Sequence, residues 1–175
     1  MEFKEVLEKR RSIRKFKSTE ISDETIREIL QLAQLAPSAG NAQAYKIKII
    51  KNTDDVKKLP EATFSSQGSR QEWISDAPVV LIICADIEES EKKFGERGRN
   101  LYAIQDATVF TSYVQLVIVS KGLACGWLGN FNEEKLRSSF DLSENLKIVA
   151  IIPFGYADGE AGTKERKKLD EVLLD

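Results

Sequence analysis

Three arginines close together near the start of the chain have the side chains best suited to bind an anion. Arg10, Arg11 and Arg14 bring three guanidinium groups to one short turn, and the hydroxyl of Ser12 lies between them. Guanidinium groups bind phosphate through paired hydrogen bonds, and a serine hydroxyl adds a further short one. This spacing indicates a phosphate site, and a solvated basic turn is the alternative interpretation.

Three later segments combine glycine with polar or aromatic residues and could approach a flat ring. They are PSAGNAQ (Pro37–Gln43), GWLGNF (Gly126–Phe131) and PFGYADG (Pro153–Gly159). Glycine lets a ligand or another backbone come close, while serine, asparagine and glutamine supply donors and acceptors. A basic run in the tail, Lys164–Lys168, could complete an anion site. Taken singly, each segment could also be an ordinary turn or a solvated charge run.

Several common chemistries are excluded by composition. The chain has no histidine and two cysteines, Cys84 and Cys125. It therefore has no imidazole base, no Ser-His or Cys-His nucleophile pair and no four-cysteine zinc site. Neither a GxxxxGK[ST] phosphate loop nor a GxGxxG dinucleotide fingerprint occurs.

Length and charge are typical of one globular domain spanning residues 1–175. The 175 residues carry 26 basic and 28 acidic side chains, and 42% of them are hydrophobic. This near-neutral balance argues against bulk nucleic-acid binding. The charged start of the chain predicts no export signal, and Ala107–Ser120 is too short to span a bilayer. Together with the free cysteines, these features favour a cytoplasmic location.

Hydrophobic spacing and capping residues predict a mixture of helices and strands. The predicted helices are Glu2–Arg10, one that starts after Ser22 and stops at Pro37, one or two within Asn52–Ser66, Asn100–Lys121, and one from the Asn132 cap through Phe140. The predicted strands are Tyr45–Lys51, Val79–Asp86, Leu123–Leu128 and Leu146–Pro153. The charges of Glu88–Arg99 predict an exposed loop or short helix. The irregular order predicts an α+β fold with helices packed over a small sheet.

Taken in order along the chain, five segments resemble the nitroreductase family of flavin enzymes. They are RRSIRKF, LAPSAGNAQ, QEWISDAPVVLIICAD, GLACGWLGNF and PFGYADG. The resemblance covers nearly the whole chain and respects the family's order and spacing. It implies an α+β homodimer with a small, mostly antiparallel central sheet and FMN at the subunit interface.

The resemblance also implies a role for particular residues toward FMN. Those matching the phosphate and ribityl contacts are Arg10, Arg11, Ser12 and Arg14, closed from the tail by Arg166 and Lys168. Those matching contacts from the other subunit are Pro37, Ser38, Ala39 and Asn41. Gln71 matches a contact to the pyrimidine edge of the ring, and backbone amides near Gly129 and Asn130 would face flavin N5.

The activity implied is hydride transfer from NAD(P)H to flavin N5, followed by reduction of an acceptor in ping-pong order. No side chain need act as acid or base, because the flavin carries the redox chemistry. Glu88–Arg99 corresponds to the family's lid over the flavin and is short here, which predicts broad use of flat acceptors such as nitroaromatics, quinones and free flavins. Arg97 or Arg99 could contact nucleotide phosphates, with a solvated lid face as the alternative.

Two other functions stay open on the sequence alone. One is a flavin enzyme of the same fold with different chemistry, either flavin fragmentation or reductive dehalogenation. The short lid argues against it, because those relatives usually carry longer lids. The other is a phosphate-reading or nucleic-acid-binding module without catalysis, which the slightly acidic balance and the large apolar content disfavour.

Overall fold

A four-stranded antiparallel sheet lies at the centre of the protein. A computed structural model describes residues 1–51, 53–64, 71–162 and 164–174. The strands are β1 (Tyr45–Ile50), β2 (Val79–Asp86), β3 (Ala124–Cys125) and β4 (Leu146–Gly155), and their order in the sheet is β1-β2-β4-β3. The predicted antiparallel sheet and α+β class are confirmed.

Helices cover both faces of this sheet. They are α1 (Phe3–Lys9), α2 (Asp23–Ala33), α3 (Thr53–Thr63), α4 (Ile87–Arg97), α5 (Ala103–Ser120) and α6 (Glu133–Ser139). All eight residues of β2 are buried, as the continuous apolar run predicted. Successive residues of a strand point to opposite faces, so Leu81 and Ile83 pack with Phe110 of α5, while Ile82 packs with Leu59 of α3. The sheet therefore has an apolar layer on each side.

Two predicted helix starts are confirmed by capping hydrogen bonds. The backbone N–H of Thr25 donates to Ser22 Oγ at 3.1 Å, and that of Lys135 donates to Asn132 Oδ1 at 2.9 Å. Each bond satisfies one of the free N–H groups in the first turn of its helix. Acidic residues in both first turns complement the helix dipole.

Several predicted boundaries were wrong. Helix α2 ends at Ala33 rather than at Pro37, since tighter i→i+3 bonds such as Ala36 N to Ala33 O replace the α-helical pattern. Strand β3 keeps only two residues of the predicted Leu123–Leu128, although Leu128 still pairs with Ile151 as an isolated bridge. The predicted helix in Asn52–Ser66 is confirmed as α3, and residues 52, 65 and 66 of that prediction lie outside the described residues.

The segment from Glu88 to Arg99 is more regular than a loop. Helix α4 begins after Asp86, whose carboxylate accepts from the Glu89 N–H at 3.1 Å. Gly95, with φ 61° and ψ −151°, breaks the helical path, and a π-helical turn over Gly98–Tyr102 leads into α5. Helix α5 therefore starts at Ala103 rather than at Asn100.

No helix within the described ranges is long and apolar enough to cross a membrane.

Candidate functional site

The basic segment Arg10–Lys17 is held in place by backbone hydrogen bonds to the sheet. The Ile13 N–H donates to the Cys125 carbonyl at 3.0 Å, which ties the segment to β3. Further along, the Asp158 N–H donates to the Lys15 carbonyl at 3.0 Å, which ties it to the chain just after β4. These two attachments fix the backbone that carries the arginines, so the sheet determines where their side chains begin.

A cavity of about 560 Å³ opens between this basic segment and the chain that follows β4. Its lining brings together five of the residues predicted to form a phosphate site: Arg10, Arg11, Ser12, Arg14 and Arg166. Lys15 and Lys164 add two further cations. Lys168 is not part of the lining. We call this space the arginine cavity.

Two carboxylates that were not predicted to be part of the site also line the arginine cavity. They belong to Asp158, which lies in the PFGYADG segment, and to Glu160, which directly follows that segment. Their place is set by the chain that follows β4, which runs antiparallel to the basic segment through the bridge between Phe16 and Ala157. Spacing along the chain does not reveal this long-range contact. Basic side chains still outnumber acidic ones around the cavity.

The arginines of the cavity have free charge to offer a ligand. Within the parts of the chain that the structure describes, none of the four arginines forms an ion pair with a carboxylate. The Arg11 guanidinium donates to the Arg10 carbonyl at 2.9 Å, and that of Arg14 lies 5.8 Å from the centre of the Trp73 ring. A neutral carbonyl and an aromatic face leave the positive charges uncompensated. Such a concentration of like charge favours a bound anion.

Gln71 is connected to this site through Trp73. The indole N–H of Trp73 donates to Gln71 Oε1 at 2.7 Å, and the same ring is the one that the Arg14 guanidinium approaches. Gly126 makes this packing possible, because a Cβ there would lie 2.9 Å from both the Ile13 carbonyl and the Trp73 ring. Trp73 therefore links Gln71 to Arg14 of the arginine cavity, although neither Gln71 nor Trp73 is part of the cavity lining.

The PSAGN segment is anchored elsewhere, on helix α5. Its 3₁₀ turn, Ala39–Asn41, is held by the buried carboxylate of Asp106, which accepts from the Ala39 N–H at 2.8 Å. Gly40 has φ +49°, a conformation that glycine adopts without strain. None of the four residues predicted to reach the flavin from this segment lines the arginine cavity of the same chain: Pro37, Ser38, Ala39 and Asn41.

Gly129 and Asn130 lie on an exposed turn close to the sheet. Leu128, just before them, exchanges two backbone hydrogen bonds with Ile151 at 2.9 and 3.0 Å. The turn is thereby fixed to β4, and both residues are exposed to solvent. A Cβ at Gly129 would lie 3.5 Å from Nε1 of Trp127, an ordinary van der Waals contact.

Neither cysteine can act as a nucleophile near neutral pH. Burial raises the pKa of the Cys84 thiol to about 11 and that of the Cys125 thiol to about 11. For Cys125, a hydrogen bond from Gln115 Nε2 at 3.6 Å and the charge of Arg10 oppose this shift without cancelling it. Both thiols remain protonated and serve as small apolar core residues.

Comparisons with known proteins agree on one family. The Nitroreductase family model matches residues 7–67 and 60–156. The NADH dehydrogenase of Thermus thermophilus is 28% identical over 193 residues, which cover 95% of this chain and 92% of that protein.

Solved structures agree with this match. A nitroreductase family protein from Clostridium difficile 630 superposes with a TM-score of 0.82 at 27% identity, covering 99% of this chain and 98% of the other. An FMN-dependent nitroreductase from Clostridium difficile R20291 superposes with a TM-score of 0.74 at 26% identity, covering 95% and 92%.

The raised pKa of Cys125 predicts a loss of stability in alkali. In the unfolded chain the thiol ionises around its ordinary pKa of 9.0, whereas in the folded protein it stays protonated to about pH 11. The free energy of unfolding should therefore fall between pH 9 and 11, by up to about 2–3 kcal/mol for this thiol. Guanidinium unfolding measured at each pH should show a smaller fall for Cys125→Ala than for the wild type. Equal falls in the two proteins would contradict burial of the neutral thiol.

Proposed function

Because this chain belongs to the nitroreductase family, we propose that it is an FMN-dependent oxidoreductase that takes hydride from NAD(P)H. The electrons pass to flat acceptors such as nitroaromatics, quinones or flavins. The similarity to an FMN-dependent nitroreductase and to an NADH dehydrogenase supports both the cofactor and the class of donor. The observation that carries the proposal is the arginine cavity, whose donors match the chemistry of a phosphate group.

FMN fits the residues around the arginine cavity. Its phosphate carries about two negative charges near neutral pH, and several guanidinium groups are the partners expected for it. The cavity offers four arginines and the Ser12 hydroxyl, and no carboxylate among the described residues is ion-paired with those arginines. We assign the phosphate and ribityl contacts to Arg10, Arg11, Ser12, Arg14 and Arg166. Lys168, which lies outside the cavity lining, is not assigned to this set.

The ring contacts come from three other places in the chain. Gln71, whose side chain is hydrogen-bonded to Trp73, would hydrogen-bond the pyrimidine edge. Backbone amides near Gly129 and Asn130, on the exposed turn after β3, would face N5. Pro37, Ser38, Ala39 and Asn41 would contact the ring from the other subunit. These ring assignments follow the pattern of the nitroreductase family.

A homodimer is part of this proposal. The segment 37–41 is fixed to α5 through Asp106, away from the lining of the arginine cavity in its own chain. A site that uses both the arginine cavity and this segment therefore needs two copies of the chain, and each dimer would have two such sites.

The protein's own groups bind and orient rather than transfer protons. Bound FMN supplies the two-electron redox chemistry. The chain has no histidine and both thiols are protonated near neutral pH, so neither an imidazole nor a thiolate can act as a base at the site. The cations hold the phosphate, and backbone N–H groups directed at the ring stabilise the negative charge of the reduced cofactor. NAD(P)H and the acceptor would bind in turn.

An anaerobic visible spectrum tests the cofactor and the donor together. Purified protein mixed with FMN and freed of unbound flavin should be yellow, and NADH or NADPH should bleach it. Exposure to a nitroaromatic or a quinone should then restore the colour. A protein that remains colourless after incubation with FMN would contradict the proposal and favour a binding module.

Removing two cavity arginines should weaken FMN binding selectively. For Arg10→Ala combined with Arg14→Ala we expect the Kd of FMN to rise at least about a hundredfold, since each charged hydrogen bond contributes roughly 1.5–3 kcal/mol. The matched control is Arg27→Ala combined with Lys48→Ala, which removes two exposed charges outside the cavity. Fluorescence titration of FMN into each flavin-free protein gives the Kd. Equal affinity in the two double variants would refute the phosphate assignment.

A further inference from the structure

Helix α4 and the π-helical turn after it carry a compact group of cations and aromatic rings. The Phe94 and Tyr102 rings meet edge to face, with their centres 5.4 Å apart and their planes at 86°. The Lys93 ammonium lies 5.6 Å from the centre of the Phe94 ring, and the Arg97 guanidinium lies 5.4 Å from that of Tyr102. Arg97 Nε also donates to the Tyr102 hydroxyl at 2.9 Å. We call these four residues the lid cluster.

The lid cluster is packed against the PSAGN segment of the same chain. Lys93 Nζ donates to the Gly40 carbonyl. A Cβ at Gly40 would lie 2.9 Å from Phe94 Cζ, so a larger residue there would displace the ring. A second glycine, Gly98, fixes the turn beneath the cluster, because a Cβ there would lie 2.3 Å from the Ser90 carbonyl. The lid cluster and the PSAGN segment therefore form one continuous surface.

The cations of this region differ in whether an acid neutralises them. Arg99 pairs with Glu91 at 2.7 Å, and Lys92 lies 3.5 Å from a carboxylate oxygen of Glu89. Across the described ranges, Lys93 and Arg97 form no ion pair with a carboxylate. They contact a carbonyl, a hydroxyl and two ring faces, none of which carries a negative charge. These two residues therefore retain positive charge that a ligand can use.

From this arrangement we propose that Lys93 and Arg97 bind an anionic group on the substrate that reacts at the flavin. The inference rests on the proposed function, because the PSAGN segment beneath the lid cluster is the one assigned to the flavin ring of the partner subunit's site. The ligand chemistry is a phosphate or carboxylate attached to a flat molecule. A guanidinium and an ammonium that are already fixed by aromatic faces bind such a group with little loss of side-chain freedom.

This anion has two candidate sources, and they differ in the half-reaction affected. One is the additional 2′-phosphate that distinguishes NADPH from NADH. The other is a carboxylate on the electron acceptor, as in 4-nitrobenzoate compared with the neutral 4-nitrobenzamide. Because donor and acceptor react in separate half-reactions, kcat/KM can be measured for each pair independently.

The experiment compares two double variants of the FMN-loaded protein with the wild type. Lys93→Gln combined with Arg97→Gln removes the two unpaired charges, while Lys92→Gln combined with Arg99→Gln removes two paired charges from the same region. In the wild type we expect the anionic member of at least one substrate pair to be favoured about tenfold or more. This preference should disappear in the first variant, persist in the control, and weaken as salt is added.

Each outcome decides a different point. A change confined to NADPH against NADH identifies the nucleotide phosphate, and a change confined to the nitro compounds identifies the acceptor's carboxylate. Unchanged ratios for both pairs in Lys93→Gln/Arg97→Gln, with FMN bound normally, overturn the lid inference alone. The FMN content of every preparation is measured first from its visible spectrum. A wild-type protein that binds no FMN overturns the proposed function and the lid inference together.

Discussion

The backbone pairing of the basic segment with the sheet is the interaction on which the site depends. Without the hydrogen bonds from Ile13 to Cys125 and from Asp158 to Lys15, the three arginines after α1 would lie on an unattached turn. With them, the cationic groups are held by a sheet in which β2, one of the two central strands, is completely buried. Orienting several flexible arginine side chains toward one anion costs conformational entropy, and a fixed backbone reduces that cost before the ligand arrives.

A similar principle holds for the PSAGN segment, which lies outside the lining of the arginine cavity of its own chain. The PSAGN segment would be a free loop if Asp106 did not accept its Ala39 N–H from within α5. Burial of that carboxylate is expensive unless it is hydrogen-bonded, and this bond joins the segment to the longest helix of the protein. Because the lid cluster then packs on Gly40, α5 and α4 together determine the position of the PSAGN segment relative to the lid cluster.

Much of this could be predicted from local sequence because local physics determines it. Ser22 and Asn132 mark helix starts through their own capping bonds, and the unbroken apolar run of β2 requires burial on both faces. The full length of helix α4 was harder to predict. Its many charged residues obscure the hydrophobic periodicity, and Gly95 interrupts the helical path.

Contacts between residues far apart in the chain were harder to predict from the sequence. Asp158 and Glu160 reach the arginine cavity because the chain after β4 pairs with the basic segment. Likewise, Arg99 differs from Arg97 in its charge pairing because the carboxylate of Glu91 contacts Arg99. Neither contact can be predicted from the spacing of residues along the chain. The ordered set of motifs indicated the family without either contact.

The central claim is that the arginine cavity recognises a phosphate attached to a flavin. The most direct measurement compares the Kd values of FMN and of riboflavin, which lacks only the phosphate, for the flavin-free protein by quenching of flavin fluorescence. The account predicts that FMN binds at least about a hundredfold more tightly at low salt, and that the gap narrows as ionic strength rises. Equal affinity for the two flavins, or a gap that salt does not change, would contradict it.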